Sequence, residues 1–426
     1  MKIQKVLKRL LQLHPKSIDL SLKRIKRLLK DLNNPEKKIK NVIQVVGTNG
    51  KYSFCSTLRE ILETAGYKIN LNISPSLKKF NERYYFSGKY ISDERLYDLL
   101  TEVEKTNNGK NITFHEFICA CFFLEASRNK SDANILESGL FFRLDASNVL
   151  DKNIASVIMP IGIDHKDFLK KGTIDEIVYE KCSHLLNGSK IFISEQKNNV
   201  LKKIKKNIAN NSSDKFFFKQ DYSYKKKVKG FVYEDKWGKI SLPSPNLLGD
   251  FQISNVSTAI AAARNLDQFK VTESQIKRSI TKIRSEGRLQ NITQGKLRKY
   301  VSSNNKIIID GAHNLLAALE IKKYIKNLGT KRKIFMILGM MANKEHKKFI
   351  QTFKDNVHAI ITLDIPNQIN FMQKEKLSKV AQSCGIPSKT ENTIGEALKN
   401  IASKNDNAII FCTGSLYFVG EILNLN

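Results

Sequence analysis

Three groups of residues in this chain have types and spacings that can do chemistry. The first is Gly47-Thr48-Asn49-Gly50-Lys51-Tyr52-Ser53, set between an apolar run and an amphipathic stretch. Glycines at such a place let backbone N–H groups converge on phosphate oxygens, and the start of a following helix adds favourable positive potential. Lys51 brings a mobile cation for the β- and γ-phosphates, and the Ser53 hydroxyl suits Mg²⁺. The strict G-x-x-x-x-G-K-[ST] pattern fails, because position 45 is Val and position 52 is Tyr. A plain strand-to-helix turn with a solvated lysine is the competing reading.

The second group is Ser74, Glu137 and His165, each at or just past the end of an apolar run. In open α/β sheets, ligands bind outside the carboxyl ends of the strands. The three are therefore expected to converge beside Lys51, and sparse ligation of that kind suits Mg²⁺. Each of them alone fits a solvated or capping residue equally well. The third group is Arg288, Asp310, His313 and Asn314, followed late in the chain by Gly414-Ser415. Asp310-Gly311-Ala312-His313-Asn314 again follows an apolar run, and a polar loop capping the next helix is the alternative there.

The elements that must carry these groups read as α/β. Strands are expected at 41–46, 68–73, 132–137 and 155–160, and again at 306–309, 334–338 and 408–412. A helix with Leu58, Ile61, Leu62 and Ala65 on one face ends at Gly66. Thr113 with Glu116, and Thr173 with Glu176, fit capping boxes that open further helices. The Lys-, Asn- and Ser-rich stretch 198–213 reads as surface, 216–242 as an irregular β insertion, and a helix is expected near 253–266. Residues 283–295 make the candidate linker. The pattern predicts two domains, 1–286 and 287–426: an N-terminal phosphate-loop domain with a mostly parallel sheet flanked by helices, and a smaller C-terminal Rossmann-like α/β domain.

Bulk properties narrow the function classes. The 426 residues suit two α/β cores. No apolar run approaches the ~20 residues that span a bilayer. Lysines interrupt the N-terminal apolar residues, so a surface helix with Val6, Leu7, Leu10 and Leu11 on one face fits better than a secretory signal. Six scattered cysteines form no C-x-x-C pair, which indicates free, buried thiols in a reducing cytoplasm. The formal charge of +31 suggests anionic partners. The lysines are spread along the whole chain and no nucleic-acid-binding motif is present, so small anionic substrates are expected instead of nucleic acid or membrane.

Eight motifs in order resemble the bifunctional dihydrofolate synthase/folylpolyglutamate synthase family of the Mur ligase superfamily. They are GTNGK from Gly47, SPSLKKFNER from Ser74, ESGLFFRLDASNV from Glu137, GIDH from Gly162, EK at Glu180, GRL from Gly287, DGAHN from Asp310 and TGSLYFVGE from Thr413. LHPKSIDLSLKRI from Leu13 also resembles the start of the family. The resemblance implies an ATP-dependent ligase that adds L-glutamate to 7,8-dihydropteroate, to folate polyglutamates, or to both, through an acyl phosphate. Thr48, Asn49, Gly50, Lys51 and Ser53 match the phosphate-binding positions, and Asn255, Arg288 and Asp310 match further ATP contacts. Ser74, Glu137 and His165 match Mg²⁺ ligands. Lys181 matches a lysine that the family carbamylates to help hold a second ion, and a monovalent cation such as K⁺ is also implied. His313 and Ser415 match the side that receives glutamate. With Lys51, Lys181 and Asp310 they form the catalytic set. For the pterin, the matching positions are Gln12, Leu13, His14, Pro15, Thr113, Phe114, His115, Glu116, Arg143 and Asp145.

The implied active site lies between the domains, in a cytoplasmic monomer. Departures from the family pattern are Tyr52, Ser76, the pair Phe141-Phe142, and Cys182-Ser183. The two phenylalanines are expected to narrow the pterin pocket or stack on the ring. The charged positions are retained, which favours an active enzyme over a non-catalytic, polyanion-binding paralogue. A Mur-type ligase of cell-wall precursors is the other alternative, disfavoured because Gly47 leaves no room for a preceding domain.

Overall fold

The computed structural model describes residues 2–16 and 18–426. Ser17, within the opening motif, lies outside them. The chain forms two compact units, the first from residues 1–161, 169–246 and 253–283, the second from 162–168, 247–252 and 284–426. The sequence pattern predicts one boundary, after residue 286, whereas the chain visits the second unit twice before staying there.

In the first unit the strands are β1 (Val42–Val46), β2 (Ile69–Asn72), β3 (Tyr84–Phe86), β4 (Lys89–Tyr90), β5 (Ala133–Glu137), β6 (Ala155–Ile158), β7 (Lys190–Ile193) and β8 (Asp214–Phe217). They form one sheet in the order β4-β3-β2-β5-β1-β6-β7-β8. The six strands from β2 to β8 are parallel, and β3 and β4 add an antiparallel edge. A separate three-stranded antiparallel sheet holds β9 (Tyr222–Lys226), β10 (Phe231–Asp235) and β11 (Gly238–Leu242). The central strands are buried along their length, as parallel strands covered on both faces must be.

Helices α1 (Lys2–Leu10), α2 (Lys23–Asp31), α3 (Lys51–Thr64), α4 (Asp93–Asn107), α5 (Phe114–Arg128), α6 (Ile174–Cys182), α7 (Asn198–Asn207), α8 (Asp250–Asn265) and α9 (Glu273–Ile280) accompany these strands. Helix α1 buries Val6, Leu7 and Leu10, but Leu11 lies beyond its end and is 58% exposed. Ten consecutive residues of α5, from Phe117 to Ala126, are buried, and most of them join α1, α2 and α4 in one core. The stretch expected as plain surface contains α7, whose Val200 and Ile204, four residues apart, form a narrow apolar stripe that lysines on both sides mask in the sequence. The expected irregular insertion is regular: β8 extends the main sheet before the small sheet begins.

The second unit has β12 (Gln290–Asn291), β13 (Lys306–Ile309), β14 (Ile334–Leu338), β15 (Ala359–Thr362), β16 (Ser388–Thr390) and β17 (Ile409–Thr413), in the order β12-β13-β17-β14-β15-β16. All are parallel except β12. Helices α10 (Leu315–Asn327), α11 (His346–Gln351), α12 (Lys374–Ser383), α13 (Ile394–Ala402) and α14 (Leu416–Leu425) complete it. Alternate strand residues feed two cores: Ile308, Met336, Ile360 and Phe411 pack on one face, Ile307, Ile337, Ile361 and Cys412 on the other. The expected linker is not loose, since Ile283, Leu289 and Ile292 are buried and β12 pairs with β13. Its charges hid the apolar residues between them.

Candidate active site

Strands β2, β5 and β1 are neighbours, and their carboxyl ends bring Ser74 and Glu137 to the Gly47–Ser53 loop. After β1 the chain turns through Gly47 and Gly50. A side chain at Gly47 would collide with Met159, 2.8 Å from its Cβ, and Gly50 has φ +83° with the Asn255 amide oxygen at 2.7 Å from a Cβ placed there. Only glycine fits either position, and the second contact sets Asn255 against the loop. The N–H groups of Thr48 and Asn49 donate to the Pro160 carbonyl, so the loop is fastened to the end of β6. Helix α3 then starts at Lys51, which places Tyr52 and Ser53 in its first turn with no glycine required. The Lys51 ammonium donates to the Gly47 carbonyl at 3.2 Å and lies 3.8 Å from the Glu137 carboxylate. Glu137 in turn accepts from the backbone N–H of Ser74, and the Ser74 hydroxyl accepts from Arg83.

Buried Glu137 and the Ser74 hydroxyl are hard oxygen donors, and they fit Mg²⁺. Among the described residues, no three His, Cys, Asp or Glu side chains gather as a metal cage. His165 belongs to the second unit and has φ +54°.

Lys181, on α6, is buried. Its ammonium donates to the Leu140 carbonyl at 2.7 Å and to the Gly47 carbonyl at 3.1 Å, and it lies 5.4 Å from the centre of the Phe141 ring. Carbonyl oxygens and the negative face of an aromatic ring suit a cation. Phe141 and Phe142 are 1% and 0% exposed, so they pack inside the unit and do not face a pterin pocket as expected. Cys182 is buried too, and burial pushes its thiol up to about 12, which leaves it inert.

The residues matched to the pterin all lie in the first unit, where their polar members form several local groups. Thr113 caps α5 and Glu116 completes the capping box. One Glu116 oxygen accepts from Thr113 and from Arg24, and Arg24 also grips Asp19, which lies 3.6 Å from the His14 ring. The other Glu116 oxygen, Oε1, is buried with no hydrogen-bond partner. Gln12, Leu13, His14 and Pro15 follow α1, and His14 is tied locally to Lys16. Phe114 stacks edge-on against Phe80. Asp145 closes the turn after β5: it accepts from the N–H groups of Gly139, Leu140 and Ser147 and from the Ser147 hydroxyl, and lies 3.5 Å from His115. Burial raises the Asp145 pKa, but His115 and Ser147 outweigh it and hold the carboxyl at about 2. Burial likewise opposes charge on His115, yet Cys119 and Asp145 raise its pKa well above the usual imidazole value. Arg143 forks onto Glu180, at 2.8 to 3.1 Å.

In the second unit the carboxyl ends of β13, β17 and β14 are adjacent. Asp310 is buried, and its two oxygens accept from the N–H groups of Leu289 and Ala312. Burial raises its pKa against the pull of Arg288. Asp310 thus ties the Gly287-Arg288-Leu289 turn to the loop after β13. His313 meets the Gly311 carbonyl with Nδ1 at 2.8 Å and Asp164 with Nε2 at 3.2 Å. Asn314 caps α10, as the alternative reading had it, and also donates to Asp164. Ser415 caps α14. Lys344 donates to Asp164 at 2.6 Å. Burial raises the Asp164 pKa, but the hydrogen bond and charge of His313, with His165 and Lys344, carry it far below the usual carboxylate range. Asp164 and Lys344 were given no role from sequence. The signal for Lys344 was its place a few residues past the apolar run 334–338.

Residues 45–263 match the Mur ligase middle domain, and residues 293–425 match the dihydrofolate synthetase C-terminal domain. The dihydrofolate synthase/folylpolyglutamate synthase of Buchnera aphidicola from Acyrthosiphon pisum is 30% identical over 400 residues, covering 90% of this chain and 89% of that protein. The Bacillus subtilis protein of the same name is 28% identical, covering 94% of each chain. Among solved structures, Escherichia coli FolC in complex with DHPP and ADP has a TM-score of 0.86 at 24% identity, over 99% of this chain and 96% of that one, which shows a shared fold. With the glycine-bearing loop at the end of β1 and both segments matched in order, this chain belongs to the dihydrofolate synthase/folylpolyglutamate synthase family of the Mur ligase superfamily.

Proposed function

We propose that this chain is an ATP-dependent acid–amino-acid ligase that adds L-glutamate to 7,8-dihydropteroate and to folate polyglutamates. The observation that carries the reading is the union of the phosphate loop, Lys51, Glu137 and Ser74 at the carboxyl ends of three adjacent strands. A carboxylate oxygen of the acceptor attacks the γ-phosphorus of ATP, the bond to the ADP oxygen breaks, and an acyl phosphate forms. The glutamate amine then attacks the acyl carbon, phosphate leaves, and the amine gives up a proton as the amide forms. Lys51 draws the γ-phosphate into line, and Ser53 and Asn255 border the same loop. Ser74 and Glu137 would hold Mg²⁺, with His165 carried as a further ligand on family likeness, and the ion would supply charge neutralisation for the phosphates. Such catalysis is mainly positioning and electrostatics.

The pterin reading has its own support. The orphaned Glu116 Oε1 lacks a donor, and a buried unsatisfied carboxylate oxygen is costly. A pterin ring supplies N–H and amino donors of that kind. Arg288 and Asp310 serve the nucleotide, while His313 and Ser415 serve glutamate, with Asp310 and Ser415 acting through the loops they fasten. Of the finer cofactor set, a second Mg²⁺ with a carbamate on Lys181, and a K⁺ ion, stay in the proposal on family likeness alone. Six buried free cysteines suit the reducing cytoplasm. Among the described residues, no helix is long and apolar enough to cross a membrane. The reading is of a monomer acting on small anions and not on nucleic acid.

The test is incorporation of labelled glutamate by purified protein with Mg²⁺ and ATP, offering 7,8-dihydropteroate and tetrahydrofolate in parallel. Incorporation with both is expected. Failure with both, in folded protein that binds ATP, would overturn the reading.

A further inference from the structure

Past the carboxyl end of β14, three consecutive residues grip the short segment 162–168 within the second unit. Asn343 donates to Asp167 at 3.2 Å, Lys344 to Asp164 at 2.6 Å, and Glu345 accepts from Lys166 at 2.9 Å. Asp164 and Lys344 are almost wholly buried, with side chains 7% and 11% exposed. One Asp164 oxygen, the one bound by Lys344, also accepts the backbone N–H of His165 at 2.8 Å. That bond sits in a turn in which His165 has φ +54°, a left-handed conformation uncommon for residues other than glycine and one that costs free energy to hold. The other Asp164 oxygen takes Asn314 and faces His313. Lys344 therefore reaches His165 through one carboxylate, and flanking pairs on both sides fix the same segment.

We propose that Asn343, Lys344 and Glu345 form a clamp that positions His165 for the divalent ion, with Lys344 as its central positioning residue. The inference rests on the reading of His165 as a metal ligand. A bland ion pair would stabilise this unit and leave metal affinity alone; a positioning residue sets the affinity. Groups that orient a metal ligand typically cost roughly 10- to 100-fold in affinity when removed.

The experiment measures Mn²⁺ binding to the full chain with ADP, by the loss of the free-ion electron paramagnetic resonance signal, without turnover. Lys344→Met is expected to weaken Mn²⁺ by roughly tenfold or more, with Lys344→Arg restoring most of the loss. Lys348→Met, which removes a partner of Glu345 that does not touch the segment, should match the native chain. His165→Ala should weaken Mn²⁺ at least as much as Lys344→Met. Native affinity in folded Lys344→Met beside weakened His165→Ala overturns the clamp and leaves the metal reading standing. Native affinity in His165→Ala removes the metal reading and the clamp with it. Should Lys344→Met fail to fold, Lys344→Gln keeps a hydrogen-bond donor without the charge, and it carries the same expectations.

Discussion

Replacing Asp145 with Asn isolates the carboxylate that holds the turn after β5. That turn carries Leu140, whose carbonyl holds Lys181, and Arg143, which forks onto Glu180. The folded carboxyl sits at about 2 against an ordinary 3.8, and the group is buried, so little is lost to solvent screening. The difference corresponds to about 2 kcal/mol of stability. Asn would also turn an NH₂ toward backbone N–H groups that need an acceptor, adding roughly 1–3 kcal/mol. The sign is that of a depressed carboxylate: the ionic part is fully present above the unfolded value and is lost as pH falls toward about 2. His115, whose pKa is raised, keeps its charge below the ordinary imidazole value and loses it only as pH rises through the higher one. At about pH 6 both charges are therefore in place, and at about pH 3 roughly half of the ionic part remains. Urea titrations followed by Trp237, the one tryptophan and a residue of the same unit, should show the variant destabilised by roughly 3–5 kcal/mol at the higher pH. The gap should narrow by about 1 kcal/mol at the lower one. An equal gap at both values would refute the claim that ionised Asp145 holds this turn.

Other perturbations have equally direct readouts. Lys51→Ala should lower kcat by roughly 10²- to 10³-fold with the circular dichroism spectrum unchanged, in a steady-state phosphate-release assay. Glu116→Gln keeps an acceptor for Thr113 and Arg24 but presents NH₂ in place of the orphaned oxygen. Its KM for dihydropteroate should rise roughly 10- to 100-fold while glutamate KM stays put. Protein incubated with ¹³C-bicarbonate and Mg²⁺ should show a carbamate carbon by NMR that Lys181→Arg lacks; its absence from the native protein would sink the carbamate on Lys181.

The parallel sheets were legible because buried parallel strands are continuous apolar runs: 306–309 and 334–338 match β13 and β14 residue for residue. Capping pairs such as Thr113 with Glu116 were legible because both partners are three residues apart in the chain. Distant partnerships were not. Nothing in the sequence pairs Lys344 with Asp164, 180 residues apart, or gives Arg24 to Glu116, because topology alone brings them together. Phe141 and Phe142 were misplaced for a related reason, since an aromatic pair beside functional residues reads as a pocket lining until its burial is known. The turn from β1 into α3 was legible from its glycines, but its attachment to Pro160 depends on β6 lying next to β1.

The central claim, ligation through an acyl phosphate, is tested most directly by isotope transfer. Dihydropteroate carrying ¹⁸O in its carboxylate is turned over with ATP, Mg²⁺ and glutamate, and the released phosphate is analysed by mass spectrometry. One ¹⁸O atom in phosphate for each amide formed is the predicted result. Amide formation with unlabelled phosphate would contradict the account.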